Sequence, residues 1–157
     1  MSFTFNPENL KKYEEFLTRY DDKESALLPV LHLAQEQKGY LPEEVLNYLS
    51  QLMQIPLIKI KEVVSFYDMF YTQPTARHIV QVCTNITCSM FGSREMYEKI
   101  LERYETENMK PTYDGKFFFQ KMECLGACSD APCMRLDHKY HGHLNLEKAL
   151  TLLRETP

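Results

Sequence analysis

Two pairs of cysteines in the second half of the chain, Cys83 with Cys88 and Cys124 with Cys128, constrain the fold more than any other feature. Their spacings are C-x4-C and C-x3-C, and a long stretch separates the pairs, so a fold that uses them together has to bring two distant loops to one place. The 157 residues leave room for one ordinary domain, or for one small domain with a helical extension. Five cysteines is an odd count that suits a disulfide framework poorly. The first residues carry Asn6, Glu8, Lys11 and Lys12 and lack the apolar centre of a signal peptide, so we expect an unsecreted chain in a reducing compartment. Cysteines kept reduced there serve metal or redox chemistry.

Composition removes two function classes. With 44% hydrophobic and 25% charged residues and no apolar run near the roughly 18 residues of a membrane span, the chain is expected not to cross a bilayer. Residues 1–75 hold 7 basic against 11 acidic side chains, and the remainder holds 11 of each. No basic stripe, stacking aromatic motif or Cys/His finger spacing supports nucleic-acid binding.

The first half reads as helices with apolar stripes of period 3.6. Asn6 caps the first, Pro7 opens it, and Leu10, Tyr13, Phe16, Leu17 and Tyr20 mark one face as far as Asp21. The second carries Leu27, Val30, Leu31 and Ala34 to a stop at Lys38-Gly39, with Pro29 either in its first turn or at a kink. His32 lies in this helix with no neighbouring ligand and is given no role. Pro42 starts a third helix with Val45, Leu49 and Leu52 inward, and Ile55-Pro56 breaks it before a fourth with Ile60, Val63, Val64, Tyr67 and Tyr71. The cluster of Phe66, Tyr67, Met69, Phe70 and Tyr71 is read chiefly as core and, as the lesser reading, as an interface.

At Gln73-Pro74-Thr75 the helical period gives way to β signals, which sets the boundary between domains at 1–74 and 75–157. Residues 78–82 read as a strand, 93–104 as a helix and 116–122 as a second strand. Residues 134–136 and 139–141 flank Asp137-His138 as a hairpin, and Asn145 caps a last helix. The expected class is α+β: an N-terminal helical bundle followed by a thioredoxin-like β-α-β/β-β-α domain with a mixed four-stranded sheet.

If the β-α-β crossover makes the first two strands parallel, their C-terminal ends share one edge of the sheet, and both cysteine pairs lie there. Cys83 closes the first strand, Cys88 is placed in the loop before the helix, and Cys124 and Cys128 follow the second strand. A [2Fe–2S] rhomb needs two thiolates on each iron, and each pair suits one iron. Structural zinc favours tighter C-x2-C knuckles and thiol–disulfide exchange uses C-x-x-C at a helix N-terminus; neither spacing occurs. Iron–sulfur is therefore the preferred reading over zinc. Gly92 and Gly126 offer backbone that can approach inorganic sulfide, though ordinary loop glycines would look the same. Spacing leaves open which two of Cys124, Cys128 and Cys133 serve the second iron. Cys133 is expected to open the third strand as a small buried apolar residue. His138, His141 and His143 are assigned to the hairpin surface.

The chain resembles the thioredoxin-like [2Fe–2S] ferredoxin family, in the form of the NuoE-type subunits of respiratory complex I, the NADH-quinone oxidoreductase. The resemblance rests on the run from Ser25 to Gln35, on Gly39-Tyr40-Leu41-Pro42 and on Val64-Ser65-Phe66-Tyr67. It continues through Val82-Cys83-Thr84-Asn85 to Cys88, Glu123-Cys124-Leu125-Gly126-Ala127-Cys128, Ala131-Pro132 and Tyr140-His141-Gly142. It implies one [2Fe–2S] cluster held by Cys83, Cys88, Cys124 and Cys128, with Cys133 at a non-ligand position and no catalytic residue on this chain. It also implies a larger FMN- and NADH-binding flavoprotein partner (NuoF-type), other peripheral-arm subunits, and a place on the cytoplasmic face of the inner membrane. The chain would then be an oxidoreductase subunit without a complete active site, and its scattered glycines show no G-x-G-x-x-G nucleotide fingerprint.

The same subunit type serves NAD-linked hydrogenases and formate dehydrogenases, which is the nearest alternative. A zinc-stabilised interaction module and a cluster-free thiol–disulfide oxidoreductase are more distant ones. Two departures from the family pattern stand out: Ser65 replaces the usual Thr, and Cys133-Met134-Arg135-Leu136-Asp137 replaces a more aliphatic stretch. The second departure is expected to bring Cys133 and Asp137 near the cluster, where they would bear on its potential.

Overall fold

The computed structural model describes residues 3–157 and divides the chain into two compact units, Met1–Pro74 and Thr75–Pro157. Their element content is α+β.

The first unit holds four helices: α1 (Pro7–Leu17), α2 (Leu27–Lys38), α3 (Glu43–Met53) and α4 (Leu57–Phe66). Asn6 caps α1 by accepting from the Asn9 amide at 2.7 Å, a contact worth about 1 kcal/mol. Pro29 falls in the first turn of α2, where no intrahelical donor is lost. Gly39, at φ 90°, ends that helix with its amide on Gln35 O at 2.7 Å. Tyr13, Leu31, Leu41, Leu49, Met53 and Ile60 form the centre of the core. Fully burying one such leucine contributes about 1.5–3 kcal/mol.

Three helices of this unit differ in detail from the sequence reading. Helix α1 ends at Leu17 instead of reaching Asp21, and Leu10 and Tyr20 are exposed. Tyr13 is buried and Phe16 and Leu17 pack half-buried against the core, as the stripe predicts, with Asn9 buried beside them and the Phe5 ring of the preceding segment against Tyr13 and Tyr48. Pro42 is the cap residue of α3 instead of its first residue, and Met53 is more deeply buried than Leu52. Helix α4 stops before Tyr67, and Tyr71 is buried in the following loop. There Gln35 accepts from the Tyr71 amide through Oε1 and donates to Met69 O through Nε2, both at 2.8 Å. The aromatic cluster accordingly splits: Phe70 and Tyr71 are core, while Phe66 is 77% exposed. His32 lies beside the Phe70 ring at 4.9 Å.

The second unit contains β1 (His78–Cys83), α5 (Ile86–Met90), α6 (Ser93–Arg103), β2 (Phe117–Met122), β3 (Met134–Leu136), β4 (Lys139–His141) and α7 (Leu146–Glu155). The sheet is four-stranded and mixed, in the order β2-β1-β3-β4. Strands β1 and β2 are parallel, with Cys83 level with Met122, and β3 runs antiparallel to both β1 and β4. Alternate residues Val80, Val82, Phe117, Phe119 and Met134 share one face with Met96, Tyr97 and Ile100 of α6 and Ala149 and Leu153 of α7. Asn145 caps α7 by accepting from the Lys148 amide at 2.9 Å. The parallel β1–β2 pair puts the residues after Cys83 and after Met122 at the same end of the sheet, as the crossover argument requires.

Candidate metal centre

That end of the sheet is built from three segments. Cys83 is the last residue of β1, and Thr84 turns away by donating its amide and hydroxyl to Met122 O at 2.9 and 3.1 Å. Asn85 then caps α5, one short turn in which Cys88 faces inward. The sequence places Cys88 in a loop; the five-residue helix holding it is too short for a periodic stripe to reveal. Ser89 Oγ donates to Thr84 O at 2.7 Å and ties the turn to the strand end. Gly92, at φ 85°, redirects the chain into α6.

After β2 comes the loop bearing Cys124 and Cys128, the latter starting a 3-10 turn, Cys128–Asp130. Gly126, at φ 74°, donates its amide to Cys124 Sγ at 3.3 Å. Leu125 and Ala127 of this loop, with Ala131, pack against Cys83, Cys88 and Cys133. Cys133 precedes β3 instead of opening it, and its carbonyl accepts from the Cys83 amide at 3.2 Å.

The Sγ atoms of Cys83, Cys88 and Cys133 all lie within 4.8 Å of one another, and those of Cys88 and Cys133 are 3.8 Å apart. All three residues are buried, whereas Cys124 and Cys128 are exposed on the loop beside them. The five thiols are free and no disulfide joins any of them. Of the four cysteines named from sequence, the structure thus gathers Cys83 and Cys88 tightly with Cys133 and sets the other two on the adjoining loop.

Main-chain donors shape this nest. Burial raises the Cys83 thiol, but the amides of Asn85 and Leu125, with the thiols of Cys88 and Cys133, more than offset it and leave Cys83 below the ordinary cysteine range. Cys88 is raised, chiefly by burial and also by Cys83, although the Cys133 amide opposes the shift. Burial and the neighbouring sulfurs push Cys133 up to about 12. An all-sulfur donor set with backbone amides turned onto it is the chemistry an iron–sulfur cluster requires, and the residues present fit one.

The histidines contribute nothing to this nest. His138 and His143 are exposed, and His141 is half-buried and lowered by burial and by Lys139. Asp137 does not belong to it either. Its amide donates to Ile79 O at 2.8 Å, at the start of β1, and the strand carries Cys83 about 13 Å further on. Its sequence proximity to Cys133 is undone by β3, which leads away from the site.

The model of the thioredoxin-like [2Fe–2S] ferredoxin family matches residues 13–157. Among curated relatives, the E subunit of the NADH-quinone oxidoreductase of Rickettsia bellii is 35% identical over 150 residues, which cover 94% of this chain and 90% of that one. The E subunit numbered 2 of the same enzyme from Rhizobium meliloti is 34% identical over 143 residues, covering 91% and 85%. Among solved structures, an NAD+-reducing [NiFe]-hydrogenase chain superposes with a TM-score of 0.70 at 21% identity. This match covers 82% of the present chain but only 22% of the hydrogenase chain, and it bears on the fold alone. On the family model and on relatives of about one-third identity over nine-tenths of the length, the chain belongs to the thioredoxin-like [2Fe–2S] ferredoxin family.

Proposed function

We propose that this chain is the [2Fe–2S] electron-transfer subunit of an NADH:quinone oxidoreductase. Its cluster is ligated by Cys83, Cys88, Cys124 and Cys128, and residues 1–74 and 75–157 act as a helical domain and a cluster domain. The observation that carries this reading is the placing of both cysteine loops at one end of the β1–β2 pair, with Leu125 and Ala127 of the second loop packed against Cys83 and Cys88 of the first. A cluster bound there supplies reversible one-electron redox chemistry. The chain's own residues supply thiolates, amide donors that favour negative charge on sulfur, and the apolar wall of Leu125, Ala127 and Ala131 that limits water.

In this reading NADH and FMN belong to a larger flavoprotein partner; the curated relatives are named only as E subunits of NADH-quinone oxidoreductases, which supports a place in a multi-subunit enzyme. The rim of the site offers that partner a surface: Ile86, Met90 and Phe91, on and just after the helix that holds Cys88, are 74%, 81% and 65% exposed. Large apolar side chains left open beside a buried redox centre suit a docking face. No helix among the described residues is long and apolar enough to cross a membrane, and the protein takes its place at the cytoplasmic face of the inner membrane through its complex.

The test is reduction by NADH. The reconstituted chain mixed with NADH alone should stay oxidised, and addition of the flavoprotein partner should bleach its visible absorption. Bleaching without the flavoprotein, or none with it, contradicts the proposal.

A further inference from the structure

We propose that Cys83, Cys88 and Cys133 form a buried three-thiolate site for one zinc ion in the cluster-free chain. Zinc bound by sulfur at about 2.3 Å in tetrahedral geometry sets neighbouring sulfurs about 3.8 Å apart. Cys88 and Cys133 already stand at 3.8 Å, and Cys83 completes a group no wider than 4.8 Å.

The three donors come from the end of β1, from α5 and from the residue before β3, so folding of the sheet gathers them, not the bending of one loop. The Cys83 amide to Cys133 O bond fixes two of them across the strand pair. No carboxylate or imidazole of the described residues joins the group, and its surroundings are Leu125, Ala127 and Ala131. Such a set selects a soft, thiophilic ion over magnesium or calcium.

Binding converts three thiols and Zn2+ into a three-thiolate complex of net charge −1 and releases three protons to solvent, with no change of oxidation state. The fourth position is left to water. Because Cys83 and Cys88 are also proposed cluster ligands, zinc held here excludes the cluster, and Cys133 is what gives the ion its third sulfur. The site does not depend on the proposed function.

The test is competition for zinc between a chromophoric chelator and the full-length, cluster-free chain, prepared anaerobically. One zinc per chain is expected. Cys133→Ser and Cys133→Val should each weaken binding at least about tenfold, with folding checked by circular dichroism. The double variant Cys124→Ser, Cys128→Ser should stay within about threefold of wild type. Absence of zinc binding by the folded wild type, wild-type affinity in both Cys133 variants, or a tenfold loss in the double variant each overturns the site. Iron and sulfide counts after reconstitution report separately on the cluster, so a chain that binds zinc in this pattern yet assembles no cluster keeps this site and loses the proposed function.

Discussion

Cys88 and Cys133, 45 residues apart in sequence, stand with their sulfurs 3.8 Å from each other, while Cys124 and Cys128 are exposed on the neighbouring loop. The proposed ligand set uses the exposed pair and leaves Cys133 out, which makes a sharp prediction. Cys83→Ser and Cys128→Ser should each abolish the native cluster, and Cys133→Ser should retain iron and sulfide at about two of each per chain. Loss of the cluster in Cys133→Ser with retention in Cys128→Ser would give Cys133 the ligand role instead.

Gly142 governs the turn that carries Cys128. A Cβ added there would lie 2.8 Å from Asp130 O and closer still to Asp130 Cβ, and the neighbouring His143 amide already holds that carbonyl at 2.7 Å. Since the obstacle includes backbone, it has little room to yield. Gly142→Ala should cost about 1–3 kcal/mol in urea unfolding and lower the iron content by displacing the Cys128–Asp130 turn. Wild-type stability and iron content in this variant would show that the turn gives way freely.

Asp137 joins the hairpin to the start of β1. Its Oδ1 accepts from the Ile79 amide and its Oδ2 lies on His78 Nδ1, both at 2.9 Å, and its backbone has φ 52°. Asp137→Ala removes both contacts and should destabilise the chain by about 1–3 kcal/mol in chemical unfolding. Because the residue lies at the far end of β1 from Cys83, the cluster's EPR line shape should stay as in wild type. A changed line shape would contradict that placement.

Tyr97 is buried and donates to Asn108 Oδ1 at 2.8 Å, an oxygen that also accepts from the Lys121 amide at 3.0 Å. Burial holds its phenol above the ordinary tyrosine range, with the Lys121 amide opposing weakly. The unfolded chain therefore loses this proton first, so the stability contributed by neutral Tyr97 is whole below about pH 10 and declines as pH rises beyond it. Tyr97→Phe should cost about 1 kcal/mol at neutral pH and show a shallower alkaline loss in thermal unfolding than wild type. Equal alkaline slopes would rule out Tyr97 as their source.

Ile86, Met90 and Phe91 should matter to partner binding and not to the cluster. Met90→Glu places a charge at an 81% exposed position beside Cys88 and should weaken association with the flavoprotein partner about tenfold or more, with unchanged visible absorption. Unchanged association would move the docking face elsewhere.

Sequence carried the fold furthest where periodicity and caps acted together: Asn6 with Pro7, the Gly39 stop, the hairpin at Asp137-His138 and the Asn145 cap all stand where the residues place them. The convergence of the cysteine loops followed from the parallel crossover alone. Helix α5 escaped because five residues make little more than one turn, although Asn85 ahead of it was a readable cap. On α1 the stripe placed Tyr13, Phe16 and Leu17 on the core and missed Asn9, a polar residue whose burial rests on its Nδ2 donating to Gln37 Oε1 at 2.8 Å, a distant partner that no local pattern shows. The nearness of Cys133 to Cys83 was latent in the register: once Val82 pairs with Met134, the next residue of β1 meets the one before β3. That register depends on long-range pairing, which local pattern does not reveal.

The central claim is most directly tested by iron and sulfide analysis of the anaerobically purified full-length chain, joined to low-temperature EPR before and after dithionite. A chain that carries this cluster gives about two irons and two sulfides and an S = 1/2 signal that appears only on reduction. A colourless protein with about one zinc and no EPR signal, unchanged after anaerobic reconstitution, would contradict it.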